Sequence, residues 1–293
     1  MEELLFTSSE DPARFEIFPS GRIDAQAAQL PPPVHMTVTC SPVHGPDRSV
    51  ELACRMRDTG HPVAVHVAAR MVRDRAHLDA LLATMADAGA DDLFLIGGDV
   101  KQPLGEYSSA VELLPLIADH RQRPRTIGIA GYPEEHPLIP DEALEEALRE
   151  KSRFADYVTT QMCFDPDAVS RWVVRHREMG MGLPVVIGMP GKVARKQLLK
   201  MSTRIGVGAS VRFLRKQRGL WSLLSRRSTA DRLYDALAPM LDEPDLKLAG
   251  FNYYTFNQLL ETWEWHEKKL DAGGRRSSRY AAGDFAESGR MTG

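Results

Sequence analysis

A glutamate stands inside an otherwise apolar run, Phe15-Glu16-Ile17-Phe18-Pro19, whose other members favour a strand. Burying an unpaired carboxylate is costly, so Glu16 needs a partner, a raised pKa or a role in proton transfer. A carboxyl group kept protonated near neutrality is a competent general acid. Other polar residues close apolar runs in a similar way. His66 ends Val63-Ala64-Val65-His66, Asp99 follows Ile96-Gly97-Gly98, and Gln161 ends Tyr157-Val158-Thr159-Thr160-Gln161. Tyr132, Glu134 and His136 sit together in Gly131-Tyr132-Pro133-Glu134-Glu135-His136-Pro137. Each has a structural alternative. The glycines could make a tight turn, with Asp99 capping the next helix. Glu134 and His136 could pair with each other on the surface, Gln161 could hold a loop, and His66 could be a satisfied structural histidine.

Residues placed this way need strands that end on a common face, and the chain alternates short apolar runs with longer amphipathic ones. Strands are expected at Arg14–Pro19, Val34–Thr39, Val63–Val67, Asp92–Ile96, Thr126–Ala130, Tyr157–Gln161, Val185–Gly188 and Lys247–Tyr253. Helices are expected around 47–58, 74–88, 107–121, 141–153, 166–179, 192–203 and 228–241. Leu78, Leu81, Leu82 and Met85 share one helix face. Asp165-Pro166-Asp167 and Pro140-Asp141-Glu142 suit first turns, and Gly89 and Gly180 suit helix ends. This rhythm predicts an α/β protein of the (β/α)8 TIM-barrel type, with functional residues at the C-terminal ends of the strands. An open doubly wound sheet fits less well, because Pro19-Ser20-Gly21 is not a Gly-rich phosphate turn. The first crossover, 21–33, leaves room for only a stub of helix. An extra helix is expected at 205–227 before the last unit. Residues 1–270 would form the single barrel domain, and 271–293, rich in Gly, Ser, Arg and Ala, a flexible tail.

Composition narrows the function classes. A chain of 293 residues, 43% hydrophobic, can bury one sizeable core. A net charge of −3 gives no global attraction to nucleic acid or anionic membrane. No apolar run reaches the length of a membrane span. Met1-Glu2-Glu3-Leu4-Leu5 lacks the layout of a secretory signal, and Cys40, Cys54 and Cys163 are widely separated. A cytoplasmic protein with reduced, buried thiols and no metal site is expected.

Taken in order, Phe15-Glu16-Ile17-Phe18-Pro19, Gly98-Asp99, Ala130-Gly131-Tyr132-Pro133-Glu134-Glu135-His136-Pro137 and Thr159-Thr160-Gln161-Met162-Cys163-Phe164-Asp165 form a series with barrel-like intervals. With Gly250-Phe251-Asn252-Tyr253-Tyr254-Thr255-Phe256-Asn257 near the end, it resembles the catalytic domain of the methylenetetrahydrofolate reductase family over roughly residues 12–260. The corresponding strings in that family are F-E-F-F-P, R-G-D, Y-P-E-x-H-P, T-Q-x-F-F-D and F-H-F-Y-T-L-N. The resemblance implies a reductase of one-carbon metabolism, on the route to methionine biosynthesis. It would convert 5,10-methylenetetrahydrofolate to 5-methyltetrahydrofolate with a nicotinamide hydride. On this basis Glu16 would protonate N10, opening the ring to a 5-iminium cation. Asp99 would bind the pterin and favour that cation, and Gln161 would read the pterin edge. His66, Gly97, Gly98, Tyr132, His136 and Lys151 match positions associated with the cofactor.

The departures concern FAD. The family's R-G-D arginine is Gly97 here, and Arg149-Glu150-Lys151-Ser152-Arg153-Phe154-Ala155-Asp156 lacks the family's glycine turn and one of its lysines. The chain therefore resembles a short, flavin-free branch in which NADH takes the flavin's place and FAD is doubtful. The same reaction through FAD, a non-catalytic folate-binding protein and a barrel enzyme with another substrate remain alternatives. The choice of NADH over NADPH and the oligomeric state stay open. Residues 212–227 carry six Arg and Lys without an acid, suiting a lid over an anionic ligand or, more plainly, a solvated helix face. Trp263, Trp265, Tyr253, Tyr254 and Phe256 are assigned to the core.

Overall fold

Eight parallel strands pair in chain order and the last returns to the first. They are β1 (Ala13–Ile17), β2 (His35–Val38), β3 (Val63–Ala68), β4 (Asp92–Ile96), β5 (Thr126–Gly131), β6 (Tyr157–Thr160), β7 (Val185–Pro190) and β8 (Leu248–Tyr254). The computed structural model describes residues 13–136, 138–194 and 228–272. Outside the strands lie α1 (Ile23–Ala27), α2 (Gly45–Asp58), α3 (Arg75–Asp87), α4 (Ala110–Ala118), α5 (Asp141–Lys151), α6 (Pro166–Glu178), α7 (Thr229–Leu237) and α8 (Leu259–Ala272). This is the expected (β/α)8 barrel, with strand bounds within two residues of those read from the apolar runs. The stub helix of the first crossover is α1. The helix expected at 205–227, most of the one at 192–203 and the tail beyond 272 fall outside the described residues.

Local chemistry explains the helices. The side chain of Asp74 accepts the His77 N–H at 2.7 Å, and Leu78, Leu81, Leu82 and Met85 of α3 are buried together. Asp165 caps α6 ahead of Pro166, and Ser228 with Asp231 forms a capping box on α7. The helix of residues 107–121 is shorter than expected, because its N-cap is Ser109 and the chain before it is held as a loop. Arg70 holds that loop, donating to the carbonyls of Val100 (2.8 Å), Lys101 (2.6 Å) and Ser108 (3.1 Å).

Inside the barrel the first inward layer is polar. Arg14, which is buried, faces Asp92 at 3.4 Å and lies over the Tyr157 ring with its carbon 4.4 Å from the centroid. The Tyr157 hydroxyl donates to Asp92 at 2.9 Å. These residues open β1, β4 and β6, so the charge pair fills the N-terminal end of the barrel. Gly128 leaves space for the tyrosine, since a Cβ there would overlap the ring. A buried pair is weak evidence of stability, but removing one partner strands the other without compensation. Asp92→Ala should cost about 3–5 kcal/mol in urea unfolding. The double substitution Arg14→Met with Asp92→Leu should recover most of that loss. Equal losses in the single and double variants would show that the pair does not hold the barrel end.

Candidate active site

Two residues beyond Arg14 on β1, and so on the same inward face, is Glu16. Parallel registry sets it beside Thr37 of β2 and Tyr254 of β8. Desolvation raises its pKa from the ordinary 4.5 to about 8, opposed by a hydrogen bond from Asn252. The Thr37 hydroxyl donates to Asn252 Oδ1 at 3.0 Å. That bond occupies the amide oxygen and turns the amide nitrogen, a donor, toward the Glu16 carboxyl. Asn252 is buried, so this is a fixed arrangement rather than a surface contact.

The other candidates gather around the same opening. His66 points inward from β3, buried, with its ring centroid 4.6 Å from that of Phe94. Burial and then the Arg14 charge push its pKa down to about 3, so it is a neutral imidazole. Gly98 has a φ of +95°, and a Cβ there would come within 2.9 Å of Ala68 Cβ, so the turn after β4 requires glycine. At Gly97 nothing lies within 4 Å of a Cβ. Packing therefore does not explain the missing arginine. Asp99 is exposed at this turn and caps no helix, which removes its structural alternative.

Tyr132 and His136 meet edge to face, centroids 5.3 Å apart. Burial first and the Asp99 charge second raise the Tyr132 pKa, and Asp99 also acts on His136, whose pKa burial lowers. Tyr254, raised first by burial, feels Glu16, Cys163 and Tyr132. Asp99, His136, Tyr132, Tyr254 and Glu16 thus form one electrostatically connected rim and wall. Gln161 joins it from β6, its Oε1 accepting the Met162 N–H at 2.8 Å and its backbone N–H bound to Gly131 O at 2.8 Å. The amide oxygen keeps a second lone pair, and the amide nitrogen makes no hydrogen bond among the described residues.

Two candidates are placed differently. Glu134 accepts the N–H groups of Phe164 and Asp165, the latter at 2.6 Å, at the entrance to α6. It anchors the loop after β6. Lys151 ends α5, buried, with Nζ 3.4 Å from Ala130 O, and desolvation lowers its pKa to about 8. The sequence reading missed Thr37 and Asn252. Of the two tyrosines it assigned to the core, Tyr253 packs outward, its hydroxyl 2.9 Å from His266 Nδ1, and Tyr254 packs against the core while standing beside Glu16 in registry. Asn257, at φ +59°, binds both Phe18 N–H and Phe18 O at 2.9 Å, joining the loops after β8 and β1. Its signal was an asparagine just past a strand, a residue suited to left-handed backbone.

No group of metal-ligating side chains occurs among the described residues, and no described helix is long and apolar enough to cross a membrane. All three cysteines are free. The basic segment 212–227 lies outside the described residues.

The raised Glu16 pKa has a thermodynamic consequence. The native state keeps a proton that the unfolded chain releases, so this group's contribution to stability falls as pH rises from about 4.5 to about 8 and levels off above. Glu16→Gln, neutral throughout, should match wild type in thermal unfolding at pH 4 and exceed it at pH 9. A constant difference across that range would mean Glu16 has an ordinary pKa.

Comparison with known proteins bears on which chemistry this mouth serves. A methylenetetrahydrofolate reductase family model matches residues 21–212, more than half of the chain, starting after Glu16 and stopping before β8. Methylenetetrahydrofolate reductase 2 of Saccharomyces cerevisiae is 28% identical over 123 residues, 38% of this chain and 20% of that protein. Methylenetetrahydrofolate reductase 1 of Schizosaccharomyces pombe is 29% identical over 122 residues, with the same shares. The matched segment is thus a minor part of those longer relatives. Among solved structures, an uncharacterized protein from Clostridium thermocellum that binds two copies of 5-methyl-5,6,7,8-tetrahydrofolic acid superposes with a TM-score of 0.59. It is 12% identical and covers 89% of this chain and 98% of its own, a likeness that speaks to the fold. On the extent of the family match, the chain belongs to the methylenetetrahydrofolate reductase family.

Proposed function

We propose that this protein reduces 5,10-methylenetetrahydrofolate to 5-methyltetrahydrofolate with hydride taken directly from NADH. The observation that carries the reading is Glu16, a carboxyl group whose pKa near 8 keeps it protonated at neutral pH inside the mouth. Family membership and the folate-binding structural neighbour support the substrate class.

In this reading Glu16 gives its proton to N10 as the C–N bond to the bridging carbon breaks, leaving that carbon as a 5-iminium cation. The Asp99 carboxylate, exposed at the rim, offsets the positive charge that develops. Hydride from the nicotinamide adds to the iminium carbon and makes the methyl group, while Glu16 recovers a proton from solvent. Atoms and charge then balance as folate, NADH and one proton giving methylfolate and NAD+. Gln161 offers the pterin edge its amide N–H groups and the second lone pair of its oxygen, the first being taken by the Met162 N–H. His66, Gly97, Gly98, Tyr132 and His136 would face the nicotinamide in this reading. Lys151 donates to the Ala130 carbonyl of β5 and keeps two further N–H groups for the cofactor role the resemblance implies.

The same residues argue against a resident flavin. Position 97 has room for a side chain, yet offers no cation to a pyrophosphate. FAD, where bound, would relay the hydride without altering the roles of Glu16 and Asp99. Freshly purified protein should be colourless and should oxidise NADH only when the folate is added. Glu16→Gln should lower that rate by about 10²–10⁴-fold at pH 7. Wild-type turnover should fall above about pH 8, as Glu16 loses its proton. Asn252→Ala should move that limb to higher pH, since it removes the bond that favours the carboxylate. A yellow active protein would restore FAD, and folate binding without NADH oxidation would leave a binding protein.

A further inference from the structure

On the outer side of β5, between α5 and α6, is a cavity of about 310 Å³ that the reaction above does not use. Leu144 and Leu148 of α5 make it apolar on one side, and Trp172 and His176 of α6 make it aromatic on the other. Gly131 lets the indole lie against the strand, because a Cβ there would stand 2.8 Å from the Trp172 ring. His176 packs on that ring with centroids 4.2 Å apart.

The histidine is also the polar feature of the cavity. It is 5% exposed, and its Nδ1 lies 2.7 Å from the Trp172 carbonyl. A carbonyl only accepts, so the proton sits on Nδ1 and Nε2 presents a lone pair. Nε2 is buried with no hydrogen-bond partner, an arrangement that native proteins avoid unless something else satisfies the atom. Burial lowers the His176 pKa, so self-protonation does not resolve it. The rim adds acceptors: Asp141, and Glu145, whose Oε1 holds Arg175 at 2.6 Å. An aromatic wall with carboxylates and the cations Arg171 and Arg175 at the rim suits a planar ligand with N–H donors on one edge and an anionic group elsewhere.

We propose that this groove is a second binding site, separate from the barrel mouth, for a fused aminopyrimidine ring. Its ring N–H and amino group would donate to His176 Nε2 and the rim carboxylates, while its face covers Trp172. Pterins and guanine nucleotides both carry that edge. The site shares Gly131 and Tyr132 with the mouth but none of the groups assigned to proton transfer.

Equilibrium dialysis of the full chain against 5-methyltetrahydrofolate, and separately against guanosine monophosphate, distinguishes the two sources. One probe should bind at a site that Trp172→Ala, His176→Leu and Glu145→Gln each weaken by about tenfold or more. Trp172→Phe should retain most of the binding. Gln161→Ala and Glu16→Gln should leave that site intact. The Glu145 side chain is 26% exposed and pairs with Arg175, so weakened binding with unchanged thermal unfolding assigns its effect to the groove. Binding of neither probe, or binding that responds to Gln161→Ala and not to the groove variants, would overturn the proposal. Groove binding is read without turnover, so it stands or falls independently of the folate reduction.

Discussion

A carboxyl group inside a closed barrel has to be paired, hydrated or neutral, and Glu16 is kept neutral. That constraint organises the structure around it. Barrel closure brings β8 beside β1, and with it Asn252 and Tyr254 beside the acid. Closure also brings β2 to the other side of β1, where Thr37 fixes the Asn252 amide by a 3.0 Å bond. An open sheet would leave β1 or β8 at an edge, admit water, and return the carboxyl toward its ordinary value. The acid therefore depends on the long-range pairing of the first and last strands, and not on any local motif.

The two ends of the barrel interior resolve buried charge in different ways. At the N-terminal end the Arg14 charge faces Asp92, which also accepts from the Tyr157 hydroxyl. One layer above, Glu16 has amide and hydroxyl neighbours and, among the described residues, no cation beside it, so it stays protonated. Arg14 is on the same strand and two residues away, yet its charge faces Asp92. Committing the guanidinium below keeps that charge from the acid above. The rim then separates roles by exposure. Asp99 stands in solvent, while Tyr132, Tyr254 and His66 are desolvated and uncharged near neutrality.

Much of this was legible because strand burial in a parallel barrel produces continuous apolar runs, within which a charged residue stands out. Glu16 was visible on those terms. Asn252 obeyed the same rule within Leu248–Tyr254 but was passed over, since a neutral amide is a weaker anomaly than a carboxylate. Thr37 gave no signal at all, because threonine is an ordinary strand former. Alternation could have separated Tyr253 from Tyr254, which face opposite sides of β8, but two adjacent tyrosines read alike as packing residues. Glu134 looked like a rim residue by its loop, and only the fold shows it reaching the backbone at the start of α6. Pairing across 236 positions, from Glu16 to Asn252, follows from closure and not from spacing, which is why the sequence placed the acid and not its partner.

The central claim is that the barrel holds Glu16 protonated at neutral pH. Infrared difference spectroscopy of the carboxyl band, taken as wild type minus Glu16→Gln across a pH series, reads that state directly. A protonated carboxyl signal that persists at pH 7 and disappears with a midpoint near 8 is the predicted result. A carboxylate already present at pH 6, with a midpoint near the ordinary 4.5, would contradict the account.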